Sequence, residues 1–121
     1  MKQQRPNPRN SHRVERLNEL LRQIIAEELE QIDDDELGIV TITAVQTDRD
    51  LTHASVFVSS LSGLDDEALL SGLEEHRRSI QKAIGQQARL RRTPPLHFKT
   101  DETLRAADRI ETILRDIEDG G

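Results

Sequence analysis

Seven basic side chains and no acidic one lie between residues 77 and 99 of this 121-residue chain. Cations this close together repel one another unless an anion is bound, and the phosphate backbone of a nucleic acid is such an anion. The alternative is a solvated face that pairs with the acidic residues between 65 and 75. The candidate phosphate-binding residues are Arg77, Arg78, Lys82, Arg89, Arg91, Arg92 and Lys99.

The spacing within this basic block predicts a shared surface. Arg78, Lys82 and Arg89 are separated by four and seven residues, so on one continuous helix they would lie on the same side. The cations that follow them continue into the predicted loop and strand beyond the helix. The block is therefore a candidate site for binding RNA.

A second basic group stands near the N-terminus, at Arg5, Arg9, Arg13 and Arg16. Arg13 and Arg16 are three residues apart and would share one helix face. A basic end of a chain often serves only solubility, and contact with RNA is the alternative. With only Phe57 and Phe98 aromatic, stacking on bases is not expected, and recognition through phosphates and shape is favoured.

The net charge of −6 hides a segregated distribution. Counting Lys and Arg against Asp and Glu gives +4 for residues 1–22, −13 for 23–76, +7 for 77–99 and −4 for 100–121. An evenly acidic protein would repel nucleic acid, whereas this one would repel it over most of its surface and accept it on a basic face. The charge pattern thus favours one docking orientation.

Several classes of function are disfavoured by what the sequence lacks. It contains no cysteine, so disulfides and thiolate metal sites are excluded. Its four histidines lack the spacing of a helical metal-binding pair, the acidic run 33–36 is typical of a solvated turn, and no serine has a Gly-x-Ser-x-Gly setting. We therefore expect no catalytic residue, metal, cofactor or small-molecule substrate.

No apolar run approaches the roughly 20 residues that span a bilayer, and the basic N-terminus is not followed by the apolar segment of a signal peptide. We expect a cytoplasmic protein without a membrane partner. The predictions about the fold rest on the aliphatic residues.

The aliphatic pattern predicts an α+β domain, a three-stranded sheet with helices packed on one face. Between 65 and 90 the pattern fits either one long helix or two helices joined at a kink, with His76 a structural residue there. The predicted elements are a helix from Asn10 or Ser11 to 32, strands at 39–47 and 54–61, the helical region 65–90, a strand at 96–100 and a helix from 101 to 117.

Three local expectations follow. Gly38 is expected to have a positive φ where the first helix gives way to the first strand. The strand 39–47 shows one better-buried face, with Val40, Ile42 and Ala44 together, although a one-residue slip would exchange the faces. Residues 1–9 and 118–121 are expected to be flexible tails around a single domain, 10–117. The last helix is expected to bury the stripe Leu104, Ala107, Ile110, Ile113, Leu114 and Ile117.

Two blocks of the sequence resemble the ribosome-binding factor A family. The first, LGIVTITAVQTDRDLTHASVFVSSL, contains an Asp-Leu turn and an Ala-x-Val-x-Val strand, and the second is ARLRRTPPLHFKTDET. Because the two blocks occur in the same order as in the family, and in a chain of this size, they indicate a similarity over about residues 9–117. The matching positions are Asp50, Leu51, Ala54, Val56 and Val58 in the first block and Arg89, Leu90, Arg91, Pro94, Leu96, Phe98 and Asp101 in the second.

The resemblance implies a type II KH-like fold and a non-catalytic factor that binds the free 30S small ribosomal subunit. It further implies late maturation of that subunit, including 16S rRNA processing, and growth at low temperature; we expect a monomer. The chain departs from the family where an Ala-x-Gly usually marks the kink, since His76, Arg77 and Arg78 stand there. The rival hypothesis is a protein-interaction module whose acidic stretch 23–76 binds basic proteins.

Overall fold

The structure, a computed structural model, describes the backbone of residues 8–120 and the side chains of residues 12–103, 106 and 109–117. The helices and strands follow one another in the α+β order that the sequence predicts, within one or two residues at most boundaries. The elements are α1 (Pro8–Gln31), β1 (Val40–Thr47), β2 (Ala54–Ser60), α2 (Asp66–Glu75), α3 (Arg77–Gln87), β3 (Leu96–Thr100) and α4 (Asp101–Gly120).

The sheet has the strand order β1-β2-β3, with β2 in the centre. β1 and β2 form an antiparallel hairpin, whereas β2 and β3 are parallel. A parallel pair needs a long crossover between its strands, and α2 with α3 supplies it. The three strands predicted from the sequence are all present.

α1, α2 and α3 cover one face of the sheet and bury a single aliphatic core. Leu21 and Ile25 of α1, Leu73 of α2 and Ile84 of α3 are completely buried with Val56 of the central strand. Each such side chain contributes roughly 1.5–3 kcal/mol through burial. The helices therefore lie on one face of the sheet, as predicted.

A β-bulge changes which side chains of β1 face the core. The register of β1 on β2 shifts between Ile42 and Ala44, and the extra residue is Thr43, whose hydroxyl donates to the carbonyl of Phe57 at 3.1 Å. Beyond the bulge the alternation is inverted, so that Val45 faces the core and Ala44 does not. Periodicity alone groups Ala44 with Ile42, whereas the added residue places Val45 on the face of Ile42.

The central helical region is two helices, not one. α2 ends at Glu75, His76 adopts φ −99° and ψ 3°, and α3 begins at Arg77. His76 is 22% exposed, and its Nε2 lies 2.8 Å from Oδ2 of Asp34. The break therefore occurs at the position where the family has its Ala-x-Gly, and it is held by a side-chain contact with the turn that follows α1.

The helix ends differ from the predicted ones. α1 begins at Pro8, because proline has the φ of a first helical turn and needs no N–H bond there; Asn10 and Ser11 consequently lie inside the helix. The predicted N-terminal tail otherwise lies outside the described residues. At the other end α4 runs on to Gly120, since neither Glu118 nor Asp119 breaks a helix.

The sequence predicts that the apolar stripe of α4 is buried. The prediction is wrong for every side chain of the stripe that the structure describes. Ile110, Ile113, Leu114 and Ile117 are 55–65% exposed. α4 starts at Asp101, directly after the last residue of β3, so no turn reverses the chain and returns the helix to the sheet. The core face of the sheet is already covered by the other three helices. The side chains of Leu104 and Ala107 lie outside the described residues.

Gly38 has φ +67°, as predicted, and closes the turn between α1 and β1. Its N–H donates to the carbonyl of Asp34 at 3.1 Å. A Cβ at this position would lie 2.5 Å from Oγ of Ser62, which accepts a hydrogen bond from the N–H of Ile39 at 2.7 Å. Glycine is needed here both for its backbone conformation and for the space beside it.

Gly38→Ala is expected to lower the free energy of unfolding by roughly 2–3 kcal/mol, from the left-handed backbone together with displacement of Ser62. Gly63→Ala is the matched control, since Gly63 has φ +83° but no atom within 4 Å of the place that a Cβ would occupy. It should cost about 1 kcal/mol, the backbone contribution alone. Urea unfolding of both variants measures the difference, and equal losses would contradict the steric argument.

The carboxyl of Asp34 has a pKa below its ordinary range, first because of the hydrogen bond with His76 and second because it accepts the N–H of Leu37. A lowered pKa means that the stabilisation is complete above the pKa of the unfolded chain, about 3.9, and is lost as the pH falls through the folded value.

Asp34→Asn should therefore destabilise the protein more at pH 7 than at pH 3, because an amide keeps an acceptor for the turn but loses the charge. Urea unfolding at the two pH values tests this. Asp35→Asn is the control, since Asp35 is an exposed neighbour. An Asp34→Asn deficit that is independent of pH would contradict the role of the ionised carboxyl.

Candidate nucleic-acid interface

α3 carries two of the predicted phosphate-binding cations on its outer side. Ile80 and Ile84 face the core, and Arg78 and Lys82 lie on the opposite side of the helix, where both are exposed. Neither forms an ion pair with another described residue. Their charges are therefore available to an external anion.

Arg89 does not continue this helical row, contrary to the spacing argument. α3 ends at Gln87, and Ala88 is extended with φ −93° and ψ 128°. Pro94 and Pro95 restrict only the residues directly before them, 93 and 94, so the prolines do not account for a helix end at Gln87. Arg89, Arg91 and Arg92 instead occupy the loop that leads into β3, and all three are exposed.

A chain of hydrogen bonds shows which end of the domain this loop occupies. Oδ1 of Asn18 in α1 accepts the N–H of Thr47 at 3.1 Å and its hydroxyl at 2.7 Å. Thr47 is paired with Ala54 across the hairpin, and the N–H of Ala54 donates to the carbonyl of Pro95 at 3.0 Å. The N-terminal half of α1 and the loop before β3 consequently lie at the same end of the sheet.

The opposite end is marked by a contact between α1 and the start of α3. There the hydroxyl of Ser79 donates to Oε1 of Glu28 at 2.6 Å. α1 and α3 therefore run antiparallel, and following α1 back toward its N-terminus leads along α3 toward its C-terminus. Arg78 lies near the Glu28 end of the domain, and Lys82 lies part of the way along the helix.

The structure thus gathers two basic groups that are far apart in sequence. Arg13 and Arg16 lie just before Asn18 in α1, are exposed, and form no ion pair with any described residue. We call this surface the basic end; it consists of Arg13, Arg16, Arg89, Arg91 and Arg92. The sequence signal for this grouping was weak, because it depends on the antiparallel packing of α1 and α3.

Acidic side chains also lie in this region. The hairpin loop at the same end carries Asp48 and Asp50. The Asp48 carboxylate is engaged by the loop itself, because it accepts hydrogen bonds from Thr52 and from the N–H of His53. The bonds from Thr52 are the main reason that the pKa of Asp48 is lowered. Arg5 and the side chain of Arg9 lie outside what the structure describes.

Lys99 is separated from the other cations of the block. In β3, Leu96 and Phe98 face the core, so Lys99 lies on the opposite face of the sheet. It is also close to the C-terminal end of the strand, away from the basic end. One rigid surface that includes Lys99 and the outer side of α3 is therefore not formed.

Arg77 is engaged inside the protein. Its Nε donates to Oε2 of Glu74 at 2.8 Å, a second bond joins the same two groups, and its guanidinium carbon lies 5.7 Å from the centre of the Phe98 ring. The hydrogen bond to Glu74 is the main cause that raises the pKa of Arg77 and lowers that of Glu74. Pairing with the acidic residues between 65 and 75, the alternative to phosphate binding, therefore occurs at Arg77, and the three-residue spacing from Glu74 was its sequence signal.

The far end of the sheet is acidic. A depression of about 270 Å³ lies where β2 and β3 end, and its lining includes Asp66, Asp101 and Glu102. Asp65, beside it, caps α2 by accepting the N–H of Ala68 at 2.8 Å. This end would repel a phosphate backbone, in contrast to the basic end.

Within the described residues, no group of three or more His, Cys, Asp or Glu side chains is arranged to hold a metal ion. None of the described helices is both long and apolar enough to cross a membrane. The arrangement of charges remains the main chemical feature of the surface.

The fold defines the class of protein. A three-stranded sheet of this topology, with α1, α2 and the kinked continuation α3 on one face, is a type II KH-like α+β domain. The family model of ribosome-binding factor A matches residues 13–114. The chain belongs to the ribosome-binding factor A family.

Individual relatives agree with this assignment. Ribosome-binding factor A of Rubrobacter xylanophilus is 40% identical over 111 residues, covering 89% of this chain and 91% of that protein. The crystal structure of ribosome-binding factor A from Thermus thermophilus has a TM-score of 0.67 and 29% identity over 72% of this chain and 93% of that one. A homology model of the Thermus thermophilus factor, fitted into a cryo-EM map of a 30S complex with it, has a TM-score of 0.58 and 30% identity, covering 67% and 87%.

Arg77→Ala is expected to lower the free energy of unfolding by about 1 kcal/mol, because it removes a partly exposed ion pair and a cation–π contact. In a double variant with Glu74→Ala the two losses should not add. Arg78→Ala is the matched control, with little change in stability. Urea unfolding gives all four values, and equal effects of Arg77→Ala and Arg78→Ala would contradict the structural role of Arg77.

Proposed function

We propose that this protein binds the free 30S small ribosomal subunit through the basic end, which contacts phosphates of the 16S rRNA. The observation that carries the proposal is the gathering of five exposed arginines from α1 and the loop before β3, none paired with another described residue. The 30S complex of the Thermus thermophilus relative supports the choice of partner. Arg78 and Lys82 extend the proposed contact along the outer side of α3.

The proposed role is promotion of late maturation of that subunit, including 16S rRNA processing, in the cytoplasm and without catalysis by this chain. One copy binds each subunit as a monomer, and the need for it is greatest during growth at low temperature. Guanidinium groups neutralise phosphates and so lower the repulsion between rRNA segments that must approach one another. With few aromatic side chains, the recognition is of backbone and shape.

The acidic remainder of the surface supports a single orientation. Carboxylates around the depression at the far end of the sheet would repel rRNA, while the basic end attracts it. The charge distribution thus steers the protein as well as binding it. Under the rival hypothesis the acidic stretch 23–76 would contact basic proteins and the arginines would be incidental, and the response to charge reversal distinguishes the two.

Arg89→Glu combined with Arg91→Glu should weaken binding to free 30S subunits and reduce the dependence of affinity on salt. The slope of log affinity against log salt concentration is negative, and each lost phosphate contact should reduce its magnitude by about one. Cosedimentation with free subunits at several salt concentrations measures the slope. Unchanged binding with an unchanged slope would contradict the proposal and favour the protein-interaction module.

The matched comparison uses single reversals. Arg91→Glu and Arg115→Glu each change the net charge by two, from −6 to −8, and both arginines are exposed. Arg91 lies at the basic end and Arg115 in α4. Only Arg91→Glu is expected to reduce the magnitude of this slope. Equal effects of the two variants would mean that net charge, and not the basic end, governs binding.

A further inference from the structure

The exposed stripe of α4 is a continuous apolar surface. Ile110, Ile113, Leu114 and Ile117 are 55–65% exposed, and at 100° per residue they fall within an arc of roughly 100° on the helix. Ala106 lies on the same arc one turn earlier and is half-buried. This is the face by which an amphipathic helix packs against another element, and no described residue covers it.

The spacing of this stripe is that of a short helix-pairing seam. Ala106, Ile110, Ile113 and Ile117 alternate steps of four and three residues, the spacing of positions d, a, d and a in a heptad. Leu114 borders the seam on one side. The described side chains of α4 thus contain about three helical turns that could interdigitate with a second helix.

The charges beside the seam are self-complementary when two copies run antiparallel. Arg109 and Asp116 occupy the same flank, seven residues apart. In an antiparallel pair with Ile110 opposite Ile113 of the second copy, that flank meets the same flank of the partner helix. Arg109 of each copy then lies beside Asp116 of the other, which gives two equivalent ion pairs.

We propose that two copies of this chain pair through α4 in this antiparallel register. The pair is isologous, since the same surface is used by both copies. A lone amphipathic helix of this length is marginal in water, and burial of the stripe against its copy would stabilise it. The seam is short, so the pair is weak and reversible, and its population rises with protein concentration.

The pair concerns the free protein and departs from the monomer expected from the sequence. It uses none of the arginines of the basic end, so a single copy can still bind each subunit. Arg109 already bonds Oε1 of Glu102 at 2.8 Å within its own helix. Glu102 lies on the same flank, so Arg109 in the pair would lie between two carboxylates. The intrahelical bond is therefore compatible with the intermolecular one and competes with it only in part.

Sedimentation of the full chain from micromolar to near-millimolar concentration is the first test. The wild type should shift from monomer to dimer, and Ile113→Glu should remain monomeric. Because Ile113 is 57% exposed, this substitution is not expected to unfold the domain, which circular dichroism checks. A wild type that stays monomeric throughout would overturn the proposal.

Charge exchange tests the register. Arg109→Asp and Asp116→Arg should each weaken self-association about tenfold, because each replaces two attractive pairs by repulsive ones. An equimolar mixture of the two variants should form a heterodimer, since every Asp of one then meets an Arg of the other. Failure of the mixture to associate better than either variant alone would overturn the antiparallel register.

Other occupants of the stripe give different results. If α4 instead docked on a ribosomal protein, Ile113→Glu would weaken binding to 30S subunits while the wild type remained monomeric. If α4 folded back on its own domain, its amides would be protected from hydrogen exchange equally at every protein concentration. Either result would overturn the pairing, whereas protection that increases with concentration and is lost in Ile113→Glu would support it.

Discussion

The break at His76 is the constraint on which the rest of the fold depends. A straight helix over the 22 residues from Asp66 to Gln87 would be about 33 Å long, whereas the five residues of β3 span about 17 Å. Because the helix breaks, α2 packs on β3 while α3 packs against α1, where Ser79 bonds Glu28. The contact of His76 with Asp34 joins that break to the turn after α1, so two distant connections are fixed together.

The same packing determines where charge accumulates. Because the broken crossover returns α3 antiparallel to α1, the loop before β3 lies beside the N-terminal half of α1. Arginines from residues 13–16 and 89–92 therefore reach one end, although more than 70 residues separate them in sequence. The acidic ends of β2 and β3 lie at the other end. A net charge of −6 is thus compatible with a strongly basic local surface.

The sequence predicted what depends on local chemistry. The strands, the single helical face of the sheet and the positive φ of Gly38 followed from β-branched runs, aliphatic spacing and the lack of a Cβ. It did not reveal the bulge at Thr43, which inverts the faces of β1, or the early end of α3 before Arg89. Both depend on tertiary packing. Which cations contact RNA stays a prediction, although the pairing of Arg77 with Glu74 already separates it from the others.

The stripe of α4 shows why periodicity alone is incomplete. An apolar spacing of three and four residues indicates that a helix face has an apolar partner, but it does not say which surface that partner is. The core of the domain is the partner that periodicity suggests, and the direct continuation of β3 into α4 prevents that arrangement. The order of charges along the flank carries the missing information, because Arg109 and Asp116 are complementary to themselves only when the second helix is reversed. The pattern of charges, and not the apolar spacing, therefore separates the proposed pairing with a second copy from packing on the core.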